Sequence, residues 1–525
     1  MIDRLSREHF LTAEPDVRSR GWIYRSLNVE PIVNCVGTQT NFGGSQPSAV
    51  VVNAMAAAAE AFVDLDELAE GVGRRLGRLT GAQWGIVTAG STAALSLATA
   101  ACLAGNDPEL MLRLPHLGGL PRRVLIPEEH RFDYDHIMTV VGAEVGSFLD
   151  LNDLARSLDT QPRMICMLGR ALLQGVGPAL EDVRKVAEHV PIIIDAAGLS
   201  PQSPDAWLQR GADLVIYSGG KFLRGPHSTG FLLGREDLCR AAWLNGPPHQ
   251  SFGRAMKVGK EEIIGALAAL EAWLIRSEND DQAKWDKTLA IIEKEAVALG
   301  LETQLLKAQP FSLVPRLRIT WRKRYRYTAD YVRRMAFLMQ RVRFPDFWSM
   351  GEAIEINPFN MTGVEDINRV VLCLREIFGR IESPQSEAGT MSGESFELDV
   401  SGSWKVSIEF LGQHREDLFH LSQTRGWVRG THKSRRLSGI IIGRMSSNGI
   451  VLNSRHVGQP LTIYHTFRGI PSEGALAGEL TVGAASDEHR GLSLCSQFGR
   501  ASWQAVRIKQ SGAKVPRDYD CAQGR

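Results

Sequence analysis

The chain has 525 residues, of which 44% are hydrophobic and 23% are charged, and its formal net charge is +1. This length suits several domains with sizeable cores, and the charge balance excludes a general electrostatic attraction to nucleic acid or anionic lipid. No apolar run approaches the length of a membrane-spanning helix.

The seven cysteines are scattered without a CxxC or similar ligand spacing, which is typical of a reducing compartment and argues against a zinc site. The first residues, MIDRLSREHF, are polar and lack the apolar stretch of a signal peptide. We therefore predict a cytoplasmic protein that contacts no membrane, and we expect neither a metal nor a nucleic-acid partner.

Along the chain, residues 1–30 are predicted to form a polar N-terminal arm, and residues 31–280 a large domain. Residues 51–81 show helical periodicity and end at Gly81, a residue type common at helix C-caps. Residues 84–105 predict a strand, a Gly-Ser-Thr turn and an Ala-rich helix.

Short apolar runs without polar alternation follow, as expected of strands buried on both faces. They are RVLIPEE (123–129), MICML (164–168), VPIIID (190–195), ADLVIYS (212–218) and TGFLLG (229–234). Helical segments such as 180–190 lie between several of these runs, which indicates βαβ units and a mainly parallel sheet. The fold class of the large domain is therefore α/β.

A long helix over 257–280 precedes a change of pattern. Residues 281–380 predict a small α+β domain with elements in βαβα order, at 313–321, 328–340, 352–359 and 363–380. Residues 381–395 are rich in Ser, Gly, Pro and Glu, which is typical of a linker.

Residues 396–525 alternate at period two between Gly and Asn turns, which predicts an extra antiparallel β domain, a sandwich or a small barrel. In one strand, Trp404, Val406, Ile408 and Phe410 fall on a single face. The domain carries no catalytic constellation in its sequence. Its histidines lack the chain spacing of metal ligands, so no metal is expected there; they are His414, His420, His432, His456 and His465.

Three chemical groups are predicted to meet at one edge of the large sheet. Asp195 ends one buried strand, and Lys221 follows the next strand behind two glycines. In parallel α/β sheets, ligands bind at the carboxyl ends of the strands. Upstream, a strand-to-helix turn offers free N–H groups that form a generic anion site. This turn contains Gly90, Ser91 and Thr92.

The anion site, the aspartate and the lysine, in this order along the chain, match the requirements of pyridoxal 5′-phosphate. The phosphate requires an anion site, the pyridine nitrogen requires a carboxylate to stay protonated, and the aldehyde requires a lysine for a Schiff base. Each element alone also occurs for structural reasons, as a helix cap, a strand end or a turn. In combination they predict a pyridoxal-phosphate site centred on Lys221 and Asp195.

Several segments carry a family resemblance over roughly residues 30–380. The most specific are SGGKFLRGP (218–226) and MKVGKEE (256–262), supported by VNCVGTQTNFGGS (33–45) and HRFDYDH (130–136). They resemble the fold type I pyridoxal-phosphate enzymes, in particular the selenocysteine synthase-like and D-glucosaminate-6-phosphate ammonia-lyase group. The β-rich tail lies outside this shared core.

The resemblance implies roles for individual cofactor-binding residues. Lys221 resembles the Schiff-base lysine and Asp195 the partner of the pyridinium nitrogen, with Ala197 packed beneath the ring. His130 would stack on the pyridine face, although an ordinary loop histidine is the alternative. The phosphate cup would consist of Gly90, Ser91 and Thr92, with a further hydroxyl from Ser218.

Substrate contacts are implied for Thr38, Arg254 and Lys257. The two basic residues match a basic stretch near the substrate in the family, but charges at a helix start are an equal alternative. His227 departs from the family pattern, which commonly has Gln at this place.

The resemblance favours a lyase that acts on an amino acid or an amino sugar acid. Lys221 would remove the Cα proton, a β-substituent would leave, and a 2-keto acid and ammonia would be released. Racemisation and β-replacement remain open because they share this proton abstraction. A non-catalytic binding protein would be expected to lack Lys221 or Asp195, and both are present.

Selenium transfer onto seryl-tRNA is a further alternative, ranked below the lyase. Only about 33 residues precede the INxxGT-like segment, too few for a tRNA-reading domain, and the net charge gives no electrostatic footprint. The basic and aromatic stretch 318–334 is interpreted as a strand end and a helix start. We also expect a homo-oligomer, in which residues 37–45 reach a neighbouring subunit's site.

Overall fold

The computed structural model describes residues 21–321, 327, 329–345, 352–379, 398–410, 412–424, 426–446, 449–457, 462–485 and 500–508. Most of the predicted arm, the whole predicted linker and part of the basic stretch 318–334 lie outside the described residues. The chain divides into two compact units, Met1–Ser383 and Pro384–Arg525.

The first unit contains a seven-stranded sheet of order β2-β8-β7-β6-β5-β3-β4. All neighbours in this sheet are parallel except β8, which is antiparallel to both β7 and β2. The strands are β2 Trp84–Thr88, β3 Arg123–Pro127, β4 Glu144–Phe148, β5 Met164–Leu168, β6 Ile192–Asp195, β7 Leu214–Ser218 and β8 Gly230–Gly234.

The predicted apolar runs form strands because the sheet is buried on both faces. In β5, Met164 and Cys166 join one hydrophobic core, while Ile165 and Met167 join the core on the opposite face. Such a strand has no solvent side, so its sequence does not alternate. The edge strand β4 is mostly half-exposed and more polar, and it was not predicted.

Helices surround this sheet and extend into the small subdomain. They are α1 Trp22–Arg25, α2 Ala49–Ala59, α3 Leu65–Thr80, α4 Ser91–Ala104, α5 Pro108–Arg113, α6 Ile137–Val140, α7 Leu151–Ser157, α8 Gly169–Leu173, α9 Leu180–Val186, α10 Ala206–Gln209, α11 Glu236–Leu244, α12 Lys260–Leu274, α13 Glu278–Ala298, α14 Ala329–Gln340 and α15 Val364–Phe378.

The predicted helix 257–280 is divided into α12 and α13. Ser277 caps α13 by accepting a hydrogen bond from the backbone N–H of Asp280 at 3.2 Å. A serine in this position satisfies an N–H group that has no partner within the helix, so a new helix begins there.

The small α+β subdomain has an antiparallel sheet of order β12-β10-β9, formed by Ala353–Ile356, Arg316–Thr320 and Glu302–Leu306. Its core contains Leu317, Ile319, Ile354 and Ile356. A separate parallel pair joins β1 (Val33–Asn34) to β11 (Val342–Arg343). The start of the predicted large domain is thus attached to the small subdomain.

The second unit is a closed antiparallel barrel, which decides between the two predicted forms. Its strands are β13 Gly402–Phe410, β14 Gln413–Thr424, β15 Trp427–Lys433, β16 Ser438–Ser446, β17 Gly449–Val457, β18 Thr462–Ser472, β19 Ala475–Ala485 and β20 Arg500–Arg507. Pairing of β13 with β20 closes the barrel. In β13, Trp404, Val406 and Ile408 are buried and the residues between them exposed, as predicted.

Among the described residues, no helix combines the length and apolar character that crossing a bilayer requires.

Candidate active site

The carboxyl ends of several strands meet at one edge of the large sheet. Strands β3, β5, β6 and β7 run in the same direction. Strand β2 also runs in this direction, because β2 and β7 are both antiparallel to the intervening β8. The turn after β2, the end of β6 and the turn after β7 therefore face the same edge, where ligands bind in open α/β sheets.

Asp195 is the last residue of β6 and is 8% exposed. Its neighbours across the sheet are Leu168 of β5 and Ile216 of β7. One carboxylate oxygen, Oδ1, accepts a hydrogen bond from the backbone N–H of Ala197 at 2.9 Å. Burial raises the pKa of this carboxyl because removal from water penalises its charged form, while Lys221 acts in the opposite direction.

Lys221 follows β7, which ends at Ser218, and is half-buried. Burial lowers the pKa of its amine, and the positive charge of Arg170 lowers it further. The negative charge of Asp195 raises it. The two residues that the sequence placed at the centre of the site are therefore within electrostatic reach of each other.

The glycines before Lys221 are required by close packing of the turn. A Cβ atom on Gly219 would lie 2.1 Å from Oγ1 of Thr229, and one on Gly220 would lie 2.6 Å from Cα of His227. A backbone hydrogen bond from Gly219 N–H to the carbonyl of Thr229, at 2.8 Å, holds the two segments together. Side chains at these positions would displace Lys221.

The predicted segment 37–45 packs against this turn within its own chain. The backbone N–H and the hydroxyl of Ser45 both donate to the carbonyl of Gly220, each at 2.9 Å. The side-chain amide of Asn360 donates to the carbonyls of Gly37 and Gly44, at 2.9 and 3.0 Å. Contacts to another subunit by this segment remain a prediction.

The turn after β2 has the geometry of an anion site. Gly90 has a φ of 91°, a conformation that favours glycine, and it precedes the 14-residue helix α4. The Thr88 hydroxyl donates to the carbonyl of Gly90 at 2.9 Å and fixes the turn. The half-buried Ser91 and Thr92 supply the first N–H groups of α4, which have no acceptor within the helix.

His130 lies just beyond β3, and its ring is fully buried. Its Nδ1 accepts from the backbone N–H of Leu168 at 3.1 Å, so the ring is neutral with its proton on Nε2. Nε2 lies 2.9 Å from the carbonyl of Val176 and donates to it. The backbone thus fixes the orientation of the ring, and stacking on a cofactor remains a prediction.

The other predicted site residues differ in their placement. Ala197 is buried beside Asp195, and Ser218 is half-buried at the end of β7. Thr38 is half-buried in the segment 37–45. Arg254 and Lys257 are exposed, and their side chains have no hydrogen bond or ion pair to another residue in the described part of the chain.

Two residues at this edge were not predicted. Arg170 is the second residue after β5, in α8, and its charge acts on Lys221. The pKa of Tyr134 is raised by burial and by the charges of Asp133 and Asp195. The signal for Arg170 was available, because a charged residue behind the buried run MICML obeys the rule that identified Asp195.

No protein-family model matches the chain. D-glucosaminate-6-phosphate ammonia lyase of Salmonella typhimurium (strain 14028s / SGSC 2262) is 32% identical over 265 residues, 47% of this chain and 69% of the lyase. The 5′-C-glycyluridine monooxygenase-decarboxylase of Streptomyces sp is 33% identical over 270 residues, 48% of this chain and 65% of that enzyme. L-seryl-tRNA(Sec) selenium transferase of Proteus mirabilis (strain HI4320) is 27% identical and is covered over 59% of its length.

A solved structure of D-glucosaminate-6-phosphate ammonia-lyase superimposes with a TM-score of 0.59 at 23% identity, covering 70% of this chain and 99% of that one. The large domain therefore has the fold of type I pyridoxal-phosphate enzymes. The chain belongs to the family of these enzymes that contains D-glucosaminate-6-phosphate ammonia lyase and the selenocysteine synthase-like proteins.

Proposed function

We propose that the protein binds pyridoxal 5′-phosphate at the carboxyl edge of the large sheet and uses it as a lyase. The proposal rests on one observation above all: a lysine amine whose pKa is lowered by burial lies within electrostatic reach of the buried carboxylate of Asp195. Family membership supports the same cofactor, because the relatives include pyridoxal-phosphate enzymes.

The residues at this edge fit the cofactor. The start of α4 at Gly90, Ser91 and Thr92 offers N–H groups to the phosphate, and Ser218 offers a hydroxyl. Asp195 would accept a hydrogen bond from the protonated pyridine nitrogen, and Lys221 would supply the amine that binds the aldehyde. His130 and Ala197 would pack on the two faces of the ring.

Pyridoxal phosphate, when bound, supplies an electron sink for the electron pair that remains after Cα loses its proton. Lys221 is suited to remove that proton, because its lowered pKa increases the fraction of free amine near neutral pH. The resulting ammonium can donate the proton to the leaving β-substituent. The carboxylate of Asp195 would stabilise the positive charge of a protonated pyridine nitrogen.

The reaction class that we propose is elimination from an amino acid or amino sugar acid, with release of a 2-keto acid and ammonia. The ammonia lyase is the relative covered over the largest share of its length among those compared. Arg170 is our first candidate for binding a substrate carboxylate, because its charge acts on Lys221 and a guanidinium pairs with carboxylates in a bidentate manner. Thr38, Arg254 and Lys257 are the further candidates for contact with the substrate.

Screening for keto-acid release tests this reaction. The purified holoprotein is incubated with 2-amino-3-hydroxy acids and amino sugar acids, with and without phosphate groups, and keto acid and ammonia are quantified. We expect the wild type to release keto acid and ammonia in a 1:1 ratio. The control variant Lys185→Ala should behave like the wild type, and Lys221→Ala should release neither product. Lys185 is an exposed lysine paired with Asp182 on α9.

Incubation in deuterated water separates the alternatives. Deuterium incorporation at Cα without keto acid would favour a racemase or a β-replacement enzyme and contradict the lyase. Selenium incorporation into seryl-tRNA would favour the transferase. No exchange with any substrate would contradict proton abstraction by Lys221.

We further propose that the protein is a homo-oligomer in the cytoplasm. Light scattering of the active protein tests the oligomeric state, and localisation of the tagged chain tests the compartment.

A further inference from the structure

Three histidines of the barrel unit converge although they are far apart in sequence. His432 lies on β15, His456 on β17 and His465 on β18, and each is at most 2% exposed. One ring nitrogen from each lies within 4.8 Å of the others. The ring centroids are 4.3 Å apart for His432 and His456, and 5.1 Å apart for the other two pairs.

The strand register directs these rings into the barrel interior. His465 and Phe467 are two residues apart on β18 and share a face, and Phe467 belongs to the barrel core. His432 lies opposite Phe419, another core residue, across the pair β14–β15. The rings of Phe419 and His432 meet edge to face at 4.9 Å. The aromatic core thus packs against the histidines and holds their orientation.

A glycine makes the closest approach of two histidines possible. Gly439 lies opposite His432 on β16. A Cβ atom at Gly439 would lie 2.4 Å from Cδ2 of His456, so any larger residue would push this ring away. The spacing of the cluster therefore depends on a residue that contributes no side chain.

His432 is held from both sides by polar groups. Its Nε2 lies 2.8 Å from the buried carboxylate of Asp417, and its Nδ1 lies 2.6 Å from the hydroxyl of Ser454. The carboxylate can only accept a hydrogen bond, so Nε2 donates to Asp417 and Nδ1 accepts from the hydroxyl of Ser454. A metal ion bound at Nδ1 would displace this hydroxyl. A carboxylate behind a histidine in this way is the usual support of a metal-ligating imidazole.

Other polar atoms of the cluster lack partners. Among the described residues, Nε2 of His456, Nδ1 of His465 and Oδ1 of Asp417 are buried without a hydrogen bond. Unsatisfied buried polar atoms are rare in folded proteins because they lose their bonds to water. The free ring nitrogens of His456 and His465 are therefore candidates for binding a ligand.

Two side chains of opposite charge, Arg415 and Asp417, adjoin the cluster. The guanidinium of Arg415 donates to Asp417 at 2.7 Å and reaches Nε2 of His465 only at 3.4 Å. Arg415 is partly exposed, whereas Asp417 is buried. The cation of Arg415 is therefore paired with Asp417, and the three imidazole rings face each other inside the barrel.

We propose that His432, His456 and His465 bind a divalent transition metal ion, with zinc as the first candidate. Neutral imidazole is a preferred ligand of Zn²⁺, and three protein ligands leave a fourth position for water or a small anion. Asp417 is a positioning residue that orients His432 through its Nε2–H. The absence of ligand spacing in the sequence does not oppose this site, because the pairing of strands β15 to β18, not chain proximity, brings the residues together.

Zinc titration of the full-length, untagged protein tests the proposal. The protein is stripped with a chelator, dialysed and titrated with Zn²⁺ by calorimetry, and the metal content of the product is measured by mass spectrometry. We expect one zinc ion per chain in the wild type. The matched control is His414→Ala, because His414 is an exposed histidine of the same barrel.

His456→Gln is expected to abolish this binding, and Asp417→Asn to weaken it about 10–100-fold, as loss of a supporting carboxylate does in known metal sites. Circular dichroism and melting of each variant establish that the barrel is folded. Should His456→Gln not fold, the wild type and Asp417→Asn alone decide the question. A wild type without stoichiometric zinc, or a folded His456→Gln that binds like the wild type, would overturn the proposal.

Discussion

Asp195 provides a prediction at the scale of single residues. Asp195→Asn keeps the shape of the side chain but removes the negative charge that stabilises a protonated pyridine nitrogen. We expect the variant to retain the cofactor, as judged by its visible absorbance, and to lose about 10²-fold or more of its turnover. Turnover near that of the wild type would show that another group protonates the ring.

Arg170 provides a second prediction at the scale of single residues. Its charge lowers the pKa of the Lys221 amine, so its removal in Arg170→Gln raises that pKa. A base with a higher pKa is protonated over a wider range, and we therefore expect the acid limb of the pH–rate profile to move to higher pH. A purely structural role would reduce the rate without moving the limb.

The control for this variant is Arg122→Gln. Arg122 forms an exposed pair with Glu144 on the edge strand β4, so its loss should leave the profile unchanged. An acid limb that stays in place in Arg170→Gln would contradict the coupling between Arg170 and Lys221.

At this scale the sequence was informative where a charged residue terminates an apolar run. Asp195 and Lys221 were predicted as site residues in this way, because charged side chains are seldom buried. Arg170 obeys the same rule but was passed over, since no cofactor group demanded a second cation. Contacts between distant segments, such as Ser45 with the carbonyl of Gly220, leave no local sequence signal.

At the scale of elements, the turn that carries Lys221 should be intolerant of side chains. Gly220→Ala would place a Cβ atom 2.6 Å from the backbone of His227. We expect a loss of about 1–3 kcal/mol in the free energy of unfolding, the range for overpacking. Cofactor retention should also weaken, because Lys221 is displaced. Thermal or chemical unfolding and cofactor absorbance measure the two effects.

Gly71→Ala is the matched control on helix α3. A Cβ atom there has no neighbour within 4 Å, so the substitution should stabilise the protein by about 0.5–1 kcal/mol through reduced backbone freedom. If Gly220→Ala behaved like Gly71→Ala, the turn would not be tightly packed.

Strands and helices were predictable from the sequence where their burial is uniform. They were less predictable at the edge of the sheet and at the ends of helices. MICML coincides with β5 because both faces of that strand are buried. Strand β4 was missed because edge exposure gives it a mixed sequence, and the division between α12 and α13 depends on a single capping serine. Local sequence patterns thus predict which residues are buried better than they predict where a strand or helix begins and ends.

At the scale of the whole molecule, we predict that the cofactor site does not need the barrel. The chain divides near residue 383, and the residues proposed to hold the cofactor precede that point. A protein truncated after Gly393 should fold and retain pyridoxal phosphate, with its visible absorbance unchanged. A truncated protein that folds but cannot hold the cofactor would show that the barrel contributes to the site.

The form of this second unit could not be derived from the sequence. Period-two alternation is the same in a sandwich and in a barrel, and the distinction depends on the pairing of β13 with β20, whose residues are about a hundred positions apart. The histidine cluster was hidden for the same reason. His432 and His456 are neighbours only because the register of β15, β16 and β17 brings them together.

Borohydride reduction followed by peptide mapping tests the central claim most directly. Reduction fixes the cofactor to the amine that holds it, because the imine becomes a stable secondary amine. The account predicts a pyridoxyl group on the peptide that contains Lys221, and no labelled peptide in Lys221→Ala. A label on a different lysine of the wild type, or a cofactor that dissociates after reduction, would contradict it.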